Sequence, residues 1–141
     1  FQEDPFRSLD ELLEEVAGVS RVILVDFHAE ATSEKQALGW YVDGRVSAVL
    51  GTHTHVQTAD ARVLPAGTGY ITDVGMTGAR DSVIGVKQDV VIERFLYQRP
   101  QRFEAAGGPA MVNAVFLDID PKNGVCRQIQ PINIHFNDFV D

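Results

Sequence analysis

The chain is poor in features that mark several common classes of protein. It has a single cysteine, Cys126, among 141 residues, and one cysteine cannot form an internal disulfide. Its apolar runs fall well short of the roughly 18 residues that a membrane-spanning helix requires, and no stretch resembles a secretory signal. These absences predict a cytoplasmic location and no membrane partner.

Basic residues are also scarce. Lys and Arg number 12 against 20 Asp and Glu, which gives a net charge of −8. Proteins that bind nucleic-acid duplexes concentrate basic residues on one face, so we expect no such partner here. A small phosphorylated substrate remains compatible with this charge, because bound divalent metal ions could supply the positive charge that the polypeptide lacks.

The chain does have 45% hydrophobic residues, over a length that suits one domain. We therefore expect residues 1–141 to form a single unit. Hydrophobic spacing predicts helices over about 9–17, 33–42 and 89–99, strands over 21–27, 46–50, 61–65 and 70–74, and a hairpin of 111–119 with 125–134. Ser8 and Ser33 are the predicted N-caps of the first two helices. This order of elements predicts a layered α/β sandwich.

The first strand, the second helix and the next strand form a predicted βαβ unit within about thirty residues. Parallel pairing with a right-handed crossover is the usual outcome for such a unit. The nearly continuous apolar run over 21–27 predicts a strand that is buried on both faces. The carboxyl ends of both strands would then lie at one edge of the sheet, where ligands bind in open α/β folds.

Three of the four histidines follow these two strands. His28 ends the first run, and His53 and His55 come directly after the second, within Gly51-Thr52-His53-Thr54-His55. If this stretch is extended, alternate side chains point to the same side, so His53 and His55 would lie together. Neutral imidazole suits Zn, Fe, Mn or Co better than Ca or Mg. His135 is isolated, and we expect it to be structural.

The histidines alone leave the number of metal ions open. Three imidazoles could complete a mononuclear zinc site that keeps one position for water. A dinuclear site needs oxygen ligands as well, and the candidate carboxylates are Asp26, Glu30, Asp60 and Asp73. Asp26 lies two residues before His28 and could point to the same side or make only local hydrogen bonds.

No side chain is a convincing nucleophile. Cys126 lies next to the hairpin turn, and Ser82 lacks the motif of a nucleophile elbow. The segment 75–82 is predicted to be an irregular loop, either a tight connection or a loop that faces a phosphate. Water activated by metal is the better candidate nucleophile, because a bound metal lowers the pKa of water toward neutrality.

Three separated segments agree in order and spacing with a known enzyme family. They are Val25-Asp26-Phe27-His28-Ala29-Glu30, the ten residues from Gly51 to Asp60, and the nine residues from Tyr70 to Gly78. From about residue 5 to residue 134, the chain resembles the carboxyl-terminal half of the YmdB-like branch of the calcineurin-like metallophosphoesterases.

The resemblance implies an αββα sandwich with two divalent or mixed-valence metal ions, of which Fe or Mn are expected and Zn is possible. It implies hydrolysis of small phosphodiesters such as 2′,3′-cyclic AMP. By resemblance, His28 and His53 would bind one metal ion and His55 the other. The family's remaining ligands are an early Asp, a Glu-Asn pair and the Asn of an Asn-His motif. Those motifs, and the expected proton donor His, do not occur in this sequence.

A chain with half of the ligands should bind metal weakly and hydrolyse poorly by itself. The start at Phe1, just before a helix, fits a boundary between family halves. We therefore expect the missing amino-terminal half, or further copies of the chain, as partners. The alternative is a non-catalytic module for metal binding or oligomerisation.

Overall fold

The computed structural model of the protein describes residues 4–136, and in that range the chain forms three helices and seven strands in two sheets. The helices are α1 (Pro5–Glu15), α2 (Thr32–Tyr41) and α3 (Gln88–Tyr97), and the strands are β1 (Leu24–His28), β2 (Ala48–Thr52), β3 (Arg62–Val63), β4 (Gly69–Ile71), β5 (Thr77–Ala79), β6 (Ala110–Ile119) and β7 (Cys126–Phe136). The mixed α/β prediction with two sheets is confirmed.

The first sheet has the strand order β1-β2-β4-β3. Strands β1, β2 and β4 are parallel, and β3 pairs antiparallel with β4. The predicted βαβ unit is therefore confirmed, with α2 as its crossover. In the β1–β2 register, His28 is opposite Thr52. The carboxyl ends of the two strands thus lie side by side, as the sequence predicts.

The prediction that the first strand is buried on both faces is wrong. Along β1, exposed and half-buried residues alternate, and Leu24 is 53% exposed. The reason is that the core lies on one side of the sheet at β1, so only the face of Val25 and Phe27 packs against it. The opposite face of β1, with Asp26 and His28, is open.

The main core lies between the first sheet and two helices. Leu9 of α1 and Leu38 of α2 pack with Val49 of β2 and Tyr70 of β4 in one buried cluster. Helical spacing of apolar residues in α1 and α2 puts Leu9 and Leu38 on the helix faces that meet the sheet. The helices therefore fix β1 and β2 from one side and leave their carboxyl ends accessible.

The second sheet has the order β5-β6-β7, and all its pairs are antiparallel. The predicted hairpin is confirmed as β6 and β7. Strand β7 contacts β3 and β4, which joins the two sheets. The segment 75–82, predicted to be an irregular loop, contains β5 instead, because Thr77–Ala79 pairs with the edge of β6.

Helix starts and some element ends differ from the predictions. Asp4, rather than Ser8, caps α1 by accepting a hydrogen bond from the N–H of Phe6, and Pro5 supplies the first helical residue. Helix α2 begins after Ala31 without a side-chain cap, so Ser33 lies inside the first turn. Within residues 4–136 no helix is long and apolar enough to cross a bilayer.

The last predicted strand of the first sheet ends early. Strand β4 stops at Ile71, whereas the sequence predicts extended chain through residue 74. Beyond Ile71 the backbone N–H groups of Thr72 and Asp73 donate to the side chains of Asp60 and Thr58. These side-chain acceptors replace a neighbouring strand, and the chain leaves the sheet.

Replacing Gly51 by Ala should destabilise the fold, since a Cβ atom there would lie 1.8 Å from the carbonyl oxygen of Thr72. We expect the free energy of unfolding to fall by about 1 to 3 kcal/mol or more, because backbone must move. Urea titration of the variant measures this. Gly107→Ala is the control, since a Cβ atom at Gly107 meets no atom within 4 Å; equal effects of the two changes would contradict the prediction.

Candidate metal centre

Two histidines meet at the carboxyl edge of the first sheet. His28 is the last residue of β1, and His53 follows the last residue of β2. Nε2 of His28 and Nδ1 of His53 are 3.1 Å apart, and the rings are arranged edge to face with centroids 5.0 Å apart. Both side chains are exposed. The structure thus brings together two of the three predicted ligands.

The third histidine points elsewhere, and the prediction of an extended His-x-His is wrong. Strand β2 ends at Thr52, and both His53 (φ 124°) and His55 (φ 65°) have positive φ, so the side chains do not simply alternate. Nδ1–H of His55 donates to the carbonyl oxygen of Ile84 at 3.1 Å. That bond leaves Nε2 of His55 as the nitrogen that could bind a metal ion.

A mononuclear site made of three imidazoles is not formed. Among residues 4–136, no three or more His, Cys, Asp or Glu side chains are grouped so that they could hold one metal ion. The turn after β2 is the physical reason, because positive φ at His53 and His55 ends the alternation of side chains and the ring of His55 is hydrogen-bonded to the carbonyl of Ile84.

A hydrogen-bond chain behind His28 fixes its tautomer. The hydroxyl of Thr52 donates to Oδ1 of Asp26 at 2.9 Å, because a carboxylate can only accept. Nδ1–H of His28 must therefore donate to Thr52 Oγ1, 3.1 Å away. The Nε2 lone pair of His28 is left pointing at His53. Asp26 does lie on the same side as His28, as the strand spacing predicts, and contacts it through the threonine.

The separation of the two nitrogens in the His28–His53 pair matches that of two ligands to one ion. Nitrogens that each lie about 2.1 Å from a common metal ion are separated by roughly 3 Å, and these two are 3.1 Å apart. The support of His28 by a hydroxyl and a carboxylate is the outer shell that metal-binding histidines usually have. The two imidazoles therefore fit a transition metal ion.

Two of the candidate carboxylates are committed to other partners. Asp73 is fully buried and forms an ion pair with Lys35, whose Nζ lies 3.0 Å from Oδ2. Asp60 accepts hydrogen bonds from the hydroxyls of Thr58 and Thr72. Both carboxylates hold the chain beyond β4, and their oxygens are used in doing so.

The pKa of Asp73 reflects this environment. Burial alone would raise it, but hydrogen bonds from the backbone N–H groups of Thr54 and Gly75 and from the Lys35 side chain outweigh burial, so the pKa lies below its ordinary value of 3.8. A carboxyl with a lowered folded-state pKa stabilises the fold above the unfolded-state pKa. That stability is lost as the pH falls through the folded-state value.

We therefore expect the free energy of unfolding to decrease as the pH falls from about 5 through the ordinary aspartate range and below it. Asp73→Asn should flatten this dependence, because the variant has no carboxyl to protonate at that position. Urea titrations of both proteins between about pH 5 and pH 2 would measure the effect. Identical slopes for the two proteins would contradict it.

The two side chains rejected as nucleophiles, Cys126 and Ser82, lie apart from the histidine pair, as do Glu30 and His135. Cys126 is buried, and burial raises the pKa of its thiol. The hydroxyl of Ser82 donates to the carbonyl oxygen of Ala79. Glu30 is exposed, and exposed His135 lies near the end of β7, opposite Met111 of β6. None of these four side chains joins the His28–His53 pair.

Two residues of this site are missed by reasoning from the sequence. Thr52 stands out there only as part of the histidine motif, although it links Asp26 to His28. Lys35 does not stand out at all. Its signal is positional, because it precedes the buried residues Leu38 and Val42 by three and seven residues and so lies on the buried face of α2.

Comparison with known proteins gives one family and several relatives. The profile of a family described as YmdB-like protein matches residues 1–132. A 2′,3′-cyclic-nucleotide 2′-phosphodiesterase of Bacillus subtilis is 53% identical over 133 residues, which cover 94% of this chain and 50% of the relative. A putative phosphatase/phosphodiesterase of Mycoplasma genitalium is 45% identical over 116 residues, covering 82% of this chain and 41% of that protein.

Solved structures share the fold. A hypothetical protein from Thermus thermophilus superposes with a TM-score of 0.88 at 52% identity, over 95% of this chain and 52% of that chain. A structure described as a novel phosphatase from Mycoplasma pneumoniae gives a TM-score of 0.89 at 40% identity, over 96% of this chain and 48% of that one. The chain spans about half the length of the curated relatives it matches.

Proposed function

The chain belongs to the YmdB-like protein family, and from this we propose that it is the carboxyl-terminal half of a metal-dependent hydrolase, a phosphodiesterase of the calcineurin-like metallophosphoesterase type. Its substrate would be a small phosphodiester such as 2′,3′-cyclic AMP. The observation that carries the proposal is the approach of His28 Nε2 to His53 Nδ1, 3.1 Å apart at the carboxyl edge of a parallel sheet. The activity for which the Bacillus subtilis relative is named supports the substrate class.

Two metal ions, Fe or Mn or alternatively Zn, would occupy the complete site. His28 and His53 would hold one of them, and His55 would hold the other through Nε2. When bound, such ions polarise a phosphoryl oxygen and lower the pKa of water. The chain's own contribution is positional, since Thr52 fixes the tautomer of His28 and the Ile84 carbonyl fixes that of His55.

The other half of the ligands would come from an amino-terminal half. The open face of β1 supports this, because Leu24 is 53% exposed beside Asp26 and His28. Among the described residues β1 is also the outer strand of its sheet, and a strand edge with unpaired backbone groups is a template for a further strand. We propose that residues 1–141 form one unit of a cytoplasmic enzyme, and that the amino-terminal half completes its active site.

The experiment is an assay of the longer protein, with both halves, on 2′,3′-cyclic AMP. We expect hydrolysis with Mn²⁺ and loss of hydrolysis after the metal is chelated, with recovery when Mn²⁺ is added back. No hydrolysis in the presence of Mn²⁺, Fe²⁺ or Zn²⁺ would contradict the proposed function. Hydrolysis that persists in the chelated protein would contradict its metal dependence.

Exposed apolar side chains favour a second candidate, a non-catalytic module for metal binding or oligomerisation. Leu12 and Leu24 are each more than half exposed and line one groove together with Leu13 and Val16, and such a patch marks a surface for association. Sedimentation of the isolated chain tests both ideas. Self-association is expected from an uncovered surface, whereas a monodisperse monomer would count against a missing half and against an oligomerisation module.

A further inference from the structure

We propose that the buried ion pair of Lys35 and Asp73 is the positioning element of the turn formed by residues 52–55, which carries two of the three histidines. Neither side chain contacts His28, His53 or His55 in the hydrogen-bond network, so the pair acts through the backbone. The pair matters for catalysis only if these histidines bind metal as proposed above. Its geometry is independent of that proposal.

Lys35 contacts the turn at the peptide group before His53. Its Nζ donates to the carbonyl oxygen of Thr52 at 2.8 Å and to Oδ2 of Asp73 at 3.0 Å. Lys35 and Asp73 both have 0% of their surface exposed. A buried ammonium group with two such partners can hold the residue before His53 in one place, since any movement would leave a charge unpaired.

Asp73 contacts the turn on the other side of His53. Its Oδ2 accepts the backbone N–H of Thr54 at 2.8 Å, and its Oδ1 accepts the N–H of Gly75 at 2.9 Å. The carbonyl before His53 and the N–H after it are thus bound by the two halves of one ion pair. His53 has its backbone fixed at both flanking peptide groups.

The turn needs such support because its backbone is strained. His53 and His55 have φ values of 124° and 65°, in a region that residues with a Cβ rarely adopt. Conformations of this kind persist only where the surrounding structure determines them. Within the surrounding structure, the Lys35–Asp73 pair contacts the turn on both sides of His53.

The decisive variant is Lys35→Met, which keeps the length of the side chain and removes its charge and donors. We expect the Zn²⁺ affinity of the longer protein, measured by calorimetric titration with Zn²⁺ alone, to fall by about 10- to 100-fold, the usual cost of losing outer-shell support. Hydrogen exchange of the Thr54 amide, followed by NMR, should accelerate at least about tenfold, as expected for the loss of roughly 1.4 kcal/mol of local stability. Asp73→Asn should show the same changes to a smaller extent, because one acceptor oxygen remains.

Thr68→Val is the matched control. Thr68 is fully buried, donates to the carbonyl oxygen of Val46 and accepts the N–H of Gly44, at the opposite end of the same sheet. The Thr68→Val change should lower the free energy of unfolding without changing the Zn²⁺ affinity or the hydrogen exchange of the Thr54 amide. All proteins are compared in conditions where each is fully folded.

Unchanged Zn²⁺ affinity and Thr54 exchange in Lys35→Met would overturn the proposal, as would equal losses in Thr68→Val. If the unaltered longer protein binds no Zn²⁺, the metal site fails, and the positioning role is decided by two metal-free readouts. These are Thr54 exchange and the ring ¹⁵N shifts that report the tautomers of His28 and His53. A wild-type pattern of both in Lys35→Met would refute the positioning role.

Discussion

Replacing His28 by Ala in the longer protein is expected to lower the rate of 2′,3′-cyclic AMP hydrolysis by roughly a thousandfold. The reason is that His28 would supply one of the two imidazole nitrogens, 3.1 Å apart, that hold one metal ion, and its loss would leave that ion short of a ligand. Metal activation contributes several kcal/mol to hydrolysis, and about 1.4 kcal/mol corresponds to a factor of ten in rate. His53→Ala should have a similar effect.

The two losses should not add. On the proposed assignment both side chains would hold the same ion, so the double variant should be about as slow as either single variant. His135→Ala is the matched control, since that histidine is exposed on β7 and belongs to no such pair. A His28→Ala protein with more than about a tenth of the original kcat/KM would contradict the assignment of His28 as a ligand.

The largest expected effect on stability is that of Lys35→Met. We expect the free energy of unfolding to fall by about 3 to 5 kcal/mol, because the change leaves the fully buried carboxylate of Asp73 without its cation. Urea titration at about pH 7 measures this directly. A loss below about 1 kcal/mol would contradict the importance of the pair for the fold.

The double variant Lys35→Met with Asp73→Asn separates the ion pair from simple packing. It contains no unpaired buried charge, so it should recover part of the stability lost in Lys35→Met. If the double variant is instead as unstable as the sum of the two single variants, the side chains contribute independently. That result would rule out the pair as the source of the effect.

Much of the arrangement that positions the candidate site could be predicted from the sequence. The apolar runs before His28 and His53, separated by a helical segment, correctly predict parallel strands that end side by side. The hairpin of β6 and β7 follows from its turn residues and its alternation. These features depend on local patterns and on the limited number of ways in which a βαβ unit can close.

The remaining features depend on contacts between distant residues. Nothing local shows that the chain leaves β2 at Thr52 with positive φ at His53, because that turn depends on Asp73, nineteen residues from Thr54. A run of apolar residues also cannot show that only one face of β1 is covered, since burial depends on what the rest of the chain packs against each face. The role of Lys35 could have been suspected from its position on the apolar face of α2.

The most direct test is a crystal structure of the longer protein grown with Mn²⁺, with the metal located by its anomalous scattering. We predict a peak about 2.1 to 2.2 Å from both Nε2 of His28 and Nδ1 of His53, and a second peak bound by Nε2 of His55. Manganese peaks elsewhere in the molecule, with His28 and His53 still hydrogen-bonded to each other, would contradict the metal site and the proposed function that depends on it.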